Sequence, residues 1–165
     1  MKERLIVFTR CPEPNRCKTR LIPALGPEGA AELHRKMTAH TVNVASRFRT
    51  ERPVQLQIEF DGPDAAPIQS SLGNTFDYRR QAEGDLGTRL DRAFQNAFDD
   101  GAERVVIIGT DCPGIAGRLL KSTFGLLEHQ DVVLGPASDG GYYLVGLHSH
   151  EPSLFDAMPW GTSNL

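Results

Sequence analysis

The sequence predicts an α/β protein built on a mainly parallel β-sheet, and three observations carry that expectation. The run Val105-Val106-Ile107-Ile108 is apolar at every position, as a strand buried on both faces must be. Leu5-Ile6-Val7-Phe8 repeats the pattern near the N-terminus. Between and beyond these runs, segments of helical periodicity alternate with strand-like ones, which is the order of a helix-covered parallel sheet. The chain has 165 residues, the size of one domain with a real core, so a single domain over 1–165 is expected.

Each element follows from local pattern. After the first strand, a loop rich in proline and basic residues runs from Thr9 to Pro27. A helix is predicted from about Glu28, because Ala30, Leu33, Met37, Val44 and Phe48 recur at near-helical spacing. Met37 and Phe48 belong to the core on this spacing. Val54, Leu56, Ile58 and Phe60 alternate with Gln55, Gln57 and Glu59, so a half-buried strand is expected. Asp61-Gly62-Pro63 ends it. The weakly patterned stretch from Asp64 to Asn74 is expected to hold a short helix, and Thr75 to Gln81 alternate as another strand. Leu86, Leu90, Ala93, Phe94, Ala97 and Phe98 form an amphipathic stripe that stops at Asp100-Gly101. The strand from Arg104 to Thr110 follows, and Ile115, Leu119, Leu120, Leu126 and Leu127 mark a further helix. Asp131 to Leu134 is a short strand, Gly135 to Gly141 a loop, and Tyr142 to Leu147 a strand. Two strands joined only by that loop imply a mixed sheet at this end. A short helical segment is expected around Ser153 to Ala157.

Composition excludes several classes. Hydrophobic residues make up 39% and charged residues 24%, which suits a globular chain. The formal net charge of −3 leaves no global basic field for nucleic acid. No apolar stretch approaches the length of a membrane span, and the N-terminus lacks a signal-peptide pattern, so a cytoplasmic location is expected. The three cysteines, Cys11, Cys17 and Cys112, are expected to be reduced thiols. Cys11 and Cys17 fit no common zinc spacing. Cys112 reads as a small buried residue near a strand end rather than a nucleophile. None of the five histidines, His34, His40, His129, His148 and His150, is assigned catalysis, and the His148-Ser149-His150 segment is expected to be exposed.

Candidate chemistry gathers where strands end, because ligands of open α/β sheets bind at the carboxyl ends of the strands. Asp111 follows the strand ended by Gly109-Thr110, and a carboxylate there can hold a divalent cation and through it a diphosphate. It can also simply cap the next helix, for which Pro113 suits the start. Arg10, Arg16, Lys18 and Arg20 place four cations in the loop after the first strand, where charge-assisted contacts suit phosphate oxygens. The loop lacks the P-loop pattern. A solvated basic loop is the commoner fate of such a cluster. In Gly84-Asp85-Leu86-Gly87, Asp85 is placed to cap the helix behind it, leaving backbone N–H groups for a ligand; an ordinary turn fits equally well. In Ser138-Asp139-Gly140-Gly141, the paired glycines allow close approach of backbone to a ligand, and Asp139 is a second carboxylate suited to base or metal-ligand duty. A tight turn remains the alternative.

Together these motifs resemble a bacterial family of glycosyltransferase-like proteins, the domain of unknown function numbered 2064, of the GT-A or nucleotide-diphospho-sugar transferase fold. The residues that carry the resemblance are Phe8-Thr9-Arg10, Lys18-Thr19-Arg20-Leu21, Gly84-Asp85-Leu86-Gly87, Gly109-Thr110-Asp111-Cys112-Pro113, Asp139-Gly140-Gly141-Tyr142-Tyr143 and Trp160-Gly161-Thr162-Ser163. The resemblance implies a three-layer, Rossmann-like GT-A fold and a transferase acting on a nucleotide-activated small molecule, a nucleotide sugar or a nucleoside triphosphate. It implies Mg²⁺ or Mn²⁺ at Asp111, phosphate contacts from Arg10, Lys18 and Arg20, and a donor pocket lined by Gly84, Asp85, Gly87, Gly140 and Gly141. Asp111 and Asp139 are the catalytic candidates. Sugar transfer is the first expectation. Nucleotidyl transfer by the same fold, or a non-catalytic nucleotide-sugar-binding module, are the alternatives. Two departures stand out. Where GT-A proteins usually carry Asp-x-Asp, Asp111 is followed by Cys112 and Pro113, and Cys is a poor ligand for these hard cations. Similar proteins also continue past Gly-Thr-Ser through another helix and strand, so a C-terminally truncated fold is an expectation of the resemblance.

Overall fold

A computed structural model describes residues 2–138 and 140–156. Asp139, Ala157 and the Trp160-Gly161-Thr162-Ser163 segment lie outside the described residues. Six strands form one sheet in the order β3-β2-β1-β4-β6-β5. They are β1 (Glu3–Arg10), β2 (Val54–Asp61), β3 (Asp77–Arg80), β4 (Arg104–Gly109), β5 (Val132–Pro136) and β6 (Tyr142–Leu147). β1 pairs in parallel with β2 and β4, and β2 in parallel with β3. β6 runs antiparallel to both β4 and β5. The sheet is therefore mixed at the end where the sequence placed two strands around one short loop. That loop is shorter than expected, because Gly135 and Pro136 still pair with β6.

Helices cover both faces. α1 (Ile22–Glu51), α2 (Ala66–Leu72) and α4 (Gly117–Leu126) alternate with the strands, as does α3 (Leu86–Asp99). α1 starts earlier than its periodicity suggests. Its first turn is set off by Gly26 at φ 70° and ψ 167°, and Pro27 then opens the long regular stretch. One core layer joins Leu5, Val7, Ile58, Phe60, Val106 and Ile108 to Phe48 of α1, Ile68 of α2 and Phe124 of α4. The second joins Ile6, Val105, Ile107, Val145 and Leu147 to Leu90, Phe94 and Ala97 of α3 and to Phe155. Phe48 stacks on Phe124 and Phe94 on Phe155, with ring centroids 5.8 and 5.6 Å apart. Alternate residues of β1 and β4 thus enter opposite layers, which is what an unbroken apolar run requires.

Three packing expectations change. Met37 is half-buried rather than core, while Phe48 is buried. Cys112 is half-buried at the margin of the first layer. Gln57 and Glu59 are each 2% exposed, so β2 is buried on both faces along its carboxyl half. Glu59 sits between Phe8 of β1 and Arg79 of β3. Strand alternation marks two faces but says nothing about what covers the polar one.

The amino edge of the sheet is locked by ion pairs. Glu3 accepts from Arg104 at 3.0 Å and from Arg52 Nη2 at 2.7 Å, and Arg52 also reaches Glu128 at 3.2 Å. Among the described residues, no helix is long and apolar enough to cross a membrane.

Candidate nucleotide site

The carboxyl edge of the sheet gathers the loops singled out above. β1, β2, β3 and β4 run the same way, so Arg10, Asp61, Arg80 and Asp111 emerge on one side. The antiparallel β6 begins on that side, so Gly140 and Gly141 lead into it beside the end of β4. A Cβ added at Gly109 would lie 3.9 Å from the Tyr143 carbonyl, which fixes how closely the two segments meet.

Lys18 and Asp111, 93 positions apart in sequence, form an ion pair at 2.9 Å. The lysine side chain is 13% exposed and the carboxylate 74%. Lys18 is held at φ 49° and ψ 37°, a left-handed backbone uncommon for a side chain of this kind. Asp111 does not cap the next helix: α4 begins after Ala116, whose side chain makes no cap. The carboxylate is thus free of a structural duty toward its own helix.

A buried polar hub lies beneath this pair. Thr9 and Thr110 sit at the ends of adjacent strands, and their hydroxyl oxygens are 3.3 Å apart. Thr9 Oγ1 is also 3.1 Å from Thr38 Oγ1 and 3.3 Å from His34 Nε2, two groups one turn apart on α1. His34 Nε2 lies 3.1 Å from the Arg10 carbonyl. A carbonyl only accepts, so Nε2 carries the proton. Burial lowers the His34 pKa, opposed by the Arg10 carbonyl and by Asp111, so the ring is neutral near pH 7. His40 makes a second such contact from α1, with Nε2 3.2 Å from the Pro113 carbonyl. One helix therefore grips the loops that follow β1 and β4. None of this hub was visible in sequence. His34 and Thr38 show only a helical spacing, and their partners are far along the chain.

The other candidates are placed as follows. Arg10 and Arg20 are exposed, and Arg10 Nη1 donates to the Arg16 carbonyl at 3.4 Å. Arg16 is turned aside into an ion pair with Glu13 at 3.0 Å. Cys11 and Cys17 are buried and anchor the two ends of the loop between them. Burial pushes the Cys11 thiol up to about 11 and raises that of Cys17. Asp85 caps α3, its carboxylate accepting from the Thr88 N–H and hydroxyl at 2.8 Å each. The Thr88 backbone bond, then its hydroxyl, holds the Asp85 carboxyl below its ordinary pKa. Gly84 adopts φ 119°, and a Cβ there would meet Thr88 at 3.0 Å, so the turn requires glycine. Arg89 ties this turn to β2, donating to the Gly84 carbonyl at 2.9 Å and pairing with Asp61 at 2.8 Å. Gln81 donates to the carbonyls of Thr9 and Glu59 at 3.0 Å each, which draws the chain between β3 and α3 over the ends of β1 and β2. Gly140 donates to the Ala137 carbonyl at 3.2 Å, within a turn closed by Ala137 and Gly141 at 2.7 Å.

No group of three or more His, Cys, Asp or Glu side chains among the described residues is arranged to hold a metal. Asp111 offers an exposed carboxylate oxygen beside the basic loop. That donor set does not make an all-protein metal site. It does fit a cation shared with phosphate oxygens and water, the usual way Mg²⁺ is held beside a nucleotide.

The comparisons with known proteins bear on the family and the fold. The sequence profile of the family described as "Uncharacterized protein conserved in bacteria (DUF2064)" matches residues 42–162. A crystal structure from Desulfovibrio desulfuricans, whose name proposes a nucleotide-diphospho-sugar transferase, is 36% identical with a TM-score of 0.89. The match covers 99% of this chain and 72% of that one. A cytidylyltransferase from Leptospira borgpetersenii is 15% identical with a TM-score of 0.58, over 94% of this chain and 63% of that one. A manganese complex from Mycobacterium tuberculosis is 15% identical with a TM-score of 0.59, over 96% of this chain and 77% of that one. The latter two show a shared fold. No curated protein matches the chain. With most of its length matched by the family profile, the chain belongs to the bacterial family DUF2064 and has the α/β fold of the nucleotide-diphospho-sugar transferases.

Proposed function

We propose that the protein is a transferase that binds a nucleotide-activated sugar at the carboxyl edge of the sheet and transfers the sugar to an acceptor. The observation that carries this reading is the Lys18–Asp111 pair. It joins the basic loop to the strand-end carboxylate, two features that sequence alone could only set side by side. The 36% identical relative, named for a nucleotide-diphospho-sugar transferase, supports the same reading.

In this reading Arg10, Lys18 and Arg20 bind the diphosphate through charge-assisted hydrogen bonds. The free N–H groups of the Gly84–Gly87 turn, at the N-terminus of α3, add a partial positive charge to the donor pocket. Asp111 holds Mg²⁺ or Mn²⁺, which when bound neutralises charge on the departing diphosphate. The His34–Thr9–Thr110 hub keeps the Arg10 and Asp111 backbones in register. Gly140 and Gly141 bring backbone against the ligand, and Asp139 orients or deprotonates the acceptor hydroxyl. Sugar transfer breaks the bond between the anomeric carbon and the diphosphate oxygen, and the acceptor oxygen takes its place on that carbon.

The test is calorimetric titration with a panel of nucleotide sugars and nucleoside triphosphates, with and without Mn²⁺. Lys18→Ala and Arg20→Ala are each expected to weaken binding by about 1–3 kcal/mol, the scale of a charged hydrogen bond. Asp111→Asn is expected to keep the fold and abolish the Mn²⁺ enhancement. Parent-like affinities in all three variants would remove the basis of the proposal.

A further inference from the structure

Resting on the reading of Asp111 as a metal-binding carboxylate, we infer that the Lys18 ammonium and the divalent cation compete for it, so that a phosphate ligand favours the entry of metal. Three observations lead there. The ammonium lies 2.9 Å from Asp111 Oδ1, a full positive charge on the exposed carboxylate beside the basic loop. The arrangement is built rather than casual, since the lysine side chain is only 13% exposed and its backbone is left-handed. Finally, among the described residues no second and third ligand stands by to bind a metal over the lysine's opposition.

The electrostatics then fix an order of events. With no phosphate present, a divalent cation at Asp111 must either displace the ammonium or sit beside it, and like charges a few ångströms apart repel strongly in a partly buried site. A diphosphate changes the balance in two ways. Its oxygens offer the ammonium an alternative anion, releasing Asp111, and they supply the extra ligands that a hard cation needs. Phosphate and metal therefore bind with positive coupling, and Lys18 is the residue that sets it. In the empty protein the lysine weakens the hold of this carboxylate on free metal. Lys18 thus has opposite effects on the two ligands, favouring phosphate and opposing metal.

That opposition gives a test that misfolding cannot imitate. Lys18→Met keeps an unbranched side chain of similar length and removes the charge. Binding of Mn²⁺ alone is read from the loss of the free-ion paramagnetic resonance signal, and binding of inorganic pyrophosphate alone by calorimetry. The variant is expected to bind Mn²⁺ about three- to tenfold more tightly than the parent, the scale of one partly exposed charge pair. It is expected to bind pyrophosphate at least about tenfold more weakly. Adding Asp111→Asn to Lys18→Met should erase the gain in Mn²⁺ affinity. Unchanged or weaker Mn²⁺ binding by Lys18→Met overturns the inference, as does a gain that survives Asp111→Asn. If the parent meanwhile shows Mn²⁺-enhanced nucleotide binding that depends on Asp111, the proposed function stands and only the competition is refuted. If the parent shows no such binding, both fall.

Discussion

Burial governs Glu59. The residue is 2% exposed, one carboxylate oxygen has no hydrogen-bond partner, and desolvation raises its pKa to about 7 despite the pull of Arg79 and Arg4. The unfolded chain releases this proton near the ordinary glutamate value of 4.5, whereas the folded chain keeps it until about 7. Stability is therefore fully present below the unfolded value and declines as pH rises toward the folded one. The full difference is on the order of 3 kcal/mol. Glu59→Gln, which keeps the shape and cannot ionise, is expected to match the parent at pH 4 and to exceed it at pH 8 by up to about 3 kcal/mol. Urea unfolding at the two pH values measures this. An equal difference at both would mean that packing, not ionisation, separates the variants. The sequence pattern makes Glu59 a solvent-facing residue, because alternation cannot reveal that the polar face of β2 is buried as well.

At the scale of elements, the joint between β2 and the basic loop is tight. A Cβ added at Gly62 would lie 2.6 Å from Cys11 Sγ and 3.2 Å from its Cβ. Gly62→Ala is expected to cost about 1–3 kcal/mol through overpacking. Cys11→Ala in that background should recover part of the loss, since it removes the closer of the two atoms. Thermal unfolding of the two single variants and the double variant gives the coupling, and strict additivity would contradict the steric account. Most elements were legible in sequence because their periods are local: the stripe of α3, the double-faced runs of β1 and β4, and the short strands around the Gly135–Gly141 region. The Asp85 cap was legible for the same reason, being set by residues three apart. The Lys18–Asp111 pair and the Thr9 hub were not, because parallel crossovers bring together segments that share no local pattern. The start of α1 lies earlier than its periodicity indicates, since a helical turn precedes Gly26 and Pro27.

Across the whole molecule, the two ends of the sheet do different work. The amino edge carries Glu3 between Arg52 and Arg104, and burial alone would raise its pKa, but the two guanidiniums hold it below the ordinary value. That contribution to stability is present above the unfolded pKa and is lost as pH falls through the folded one. Glu3→Gln is expected to cost about 3 kcal/mol, the lower end for breaking a buried pair, because Arg52 and Glu128 are partly exposed. Its effect on nucleotide affinity should be nil, whereas Lys18→Ala should do the reverse, weakening affinity with little change in unfolding midpoint. A loss of affinity in folded Glu3→Gln would show that the edges are not independent. The loop on the opposite edge is pinned at both ends by buried thiols whose pKa values are raised, Cys11 to about 11. At neutral pH such sulfurs present almost no thiolate and no accessible surface, so electrophiles and peroxides meet them only when the loop lifts from the sheet. The rate of thiol modification in the native protein is therefore a clock for loop opening, one that a phosphate ligand clamping the same loop would slow.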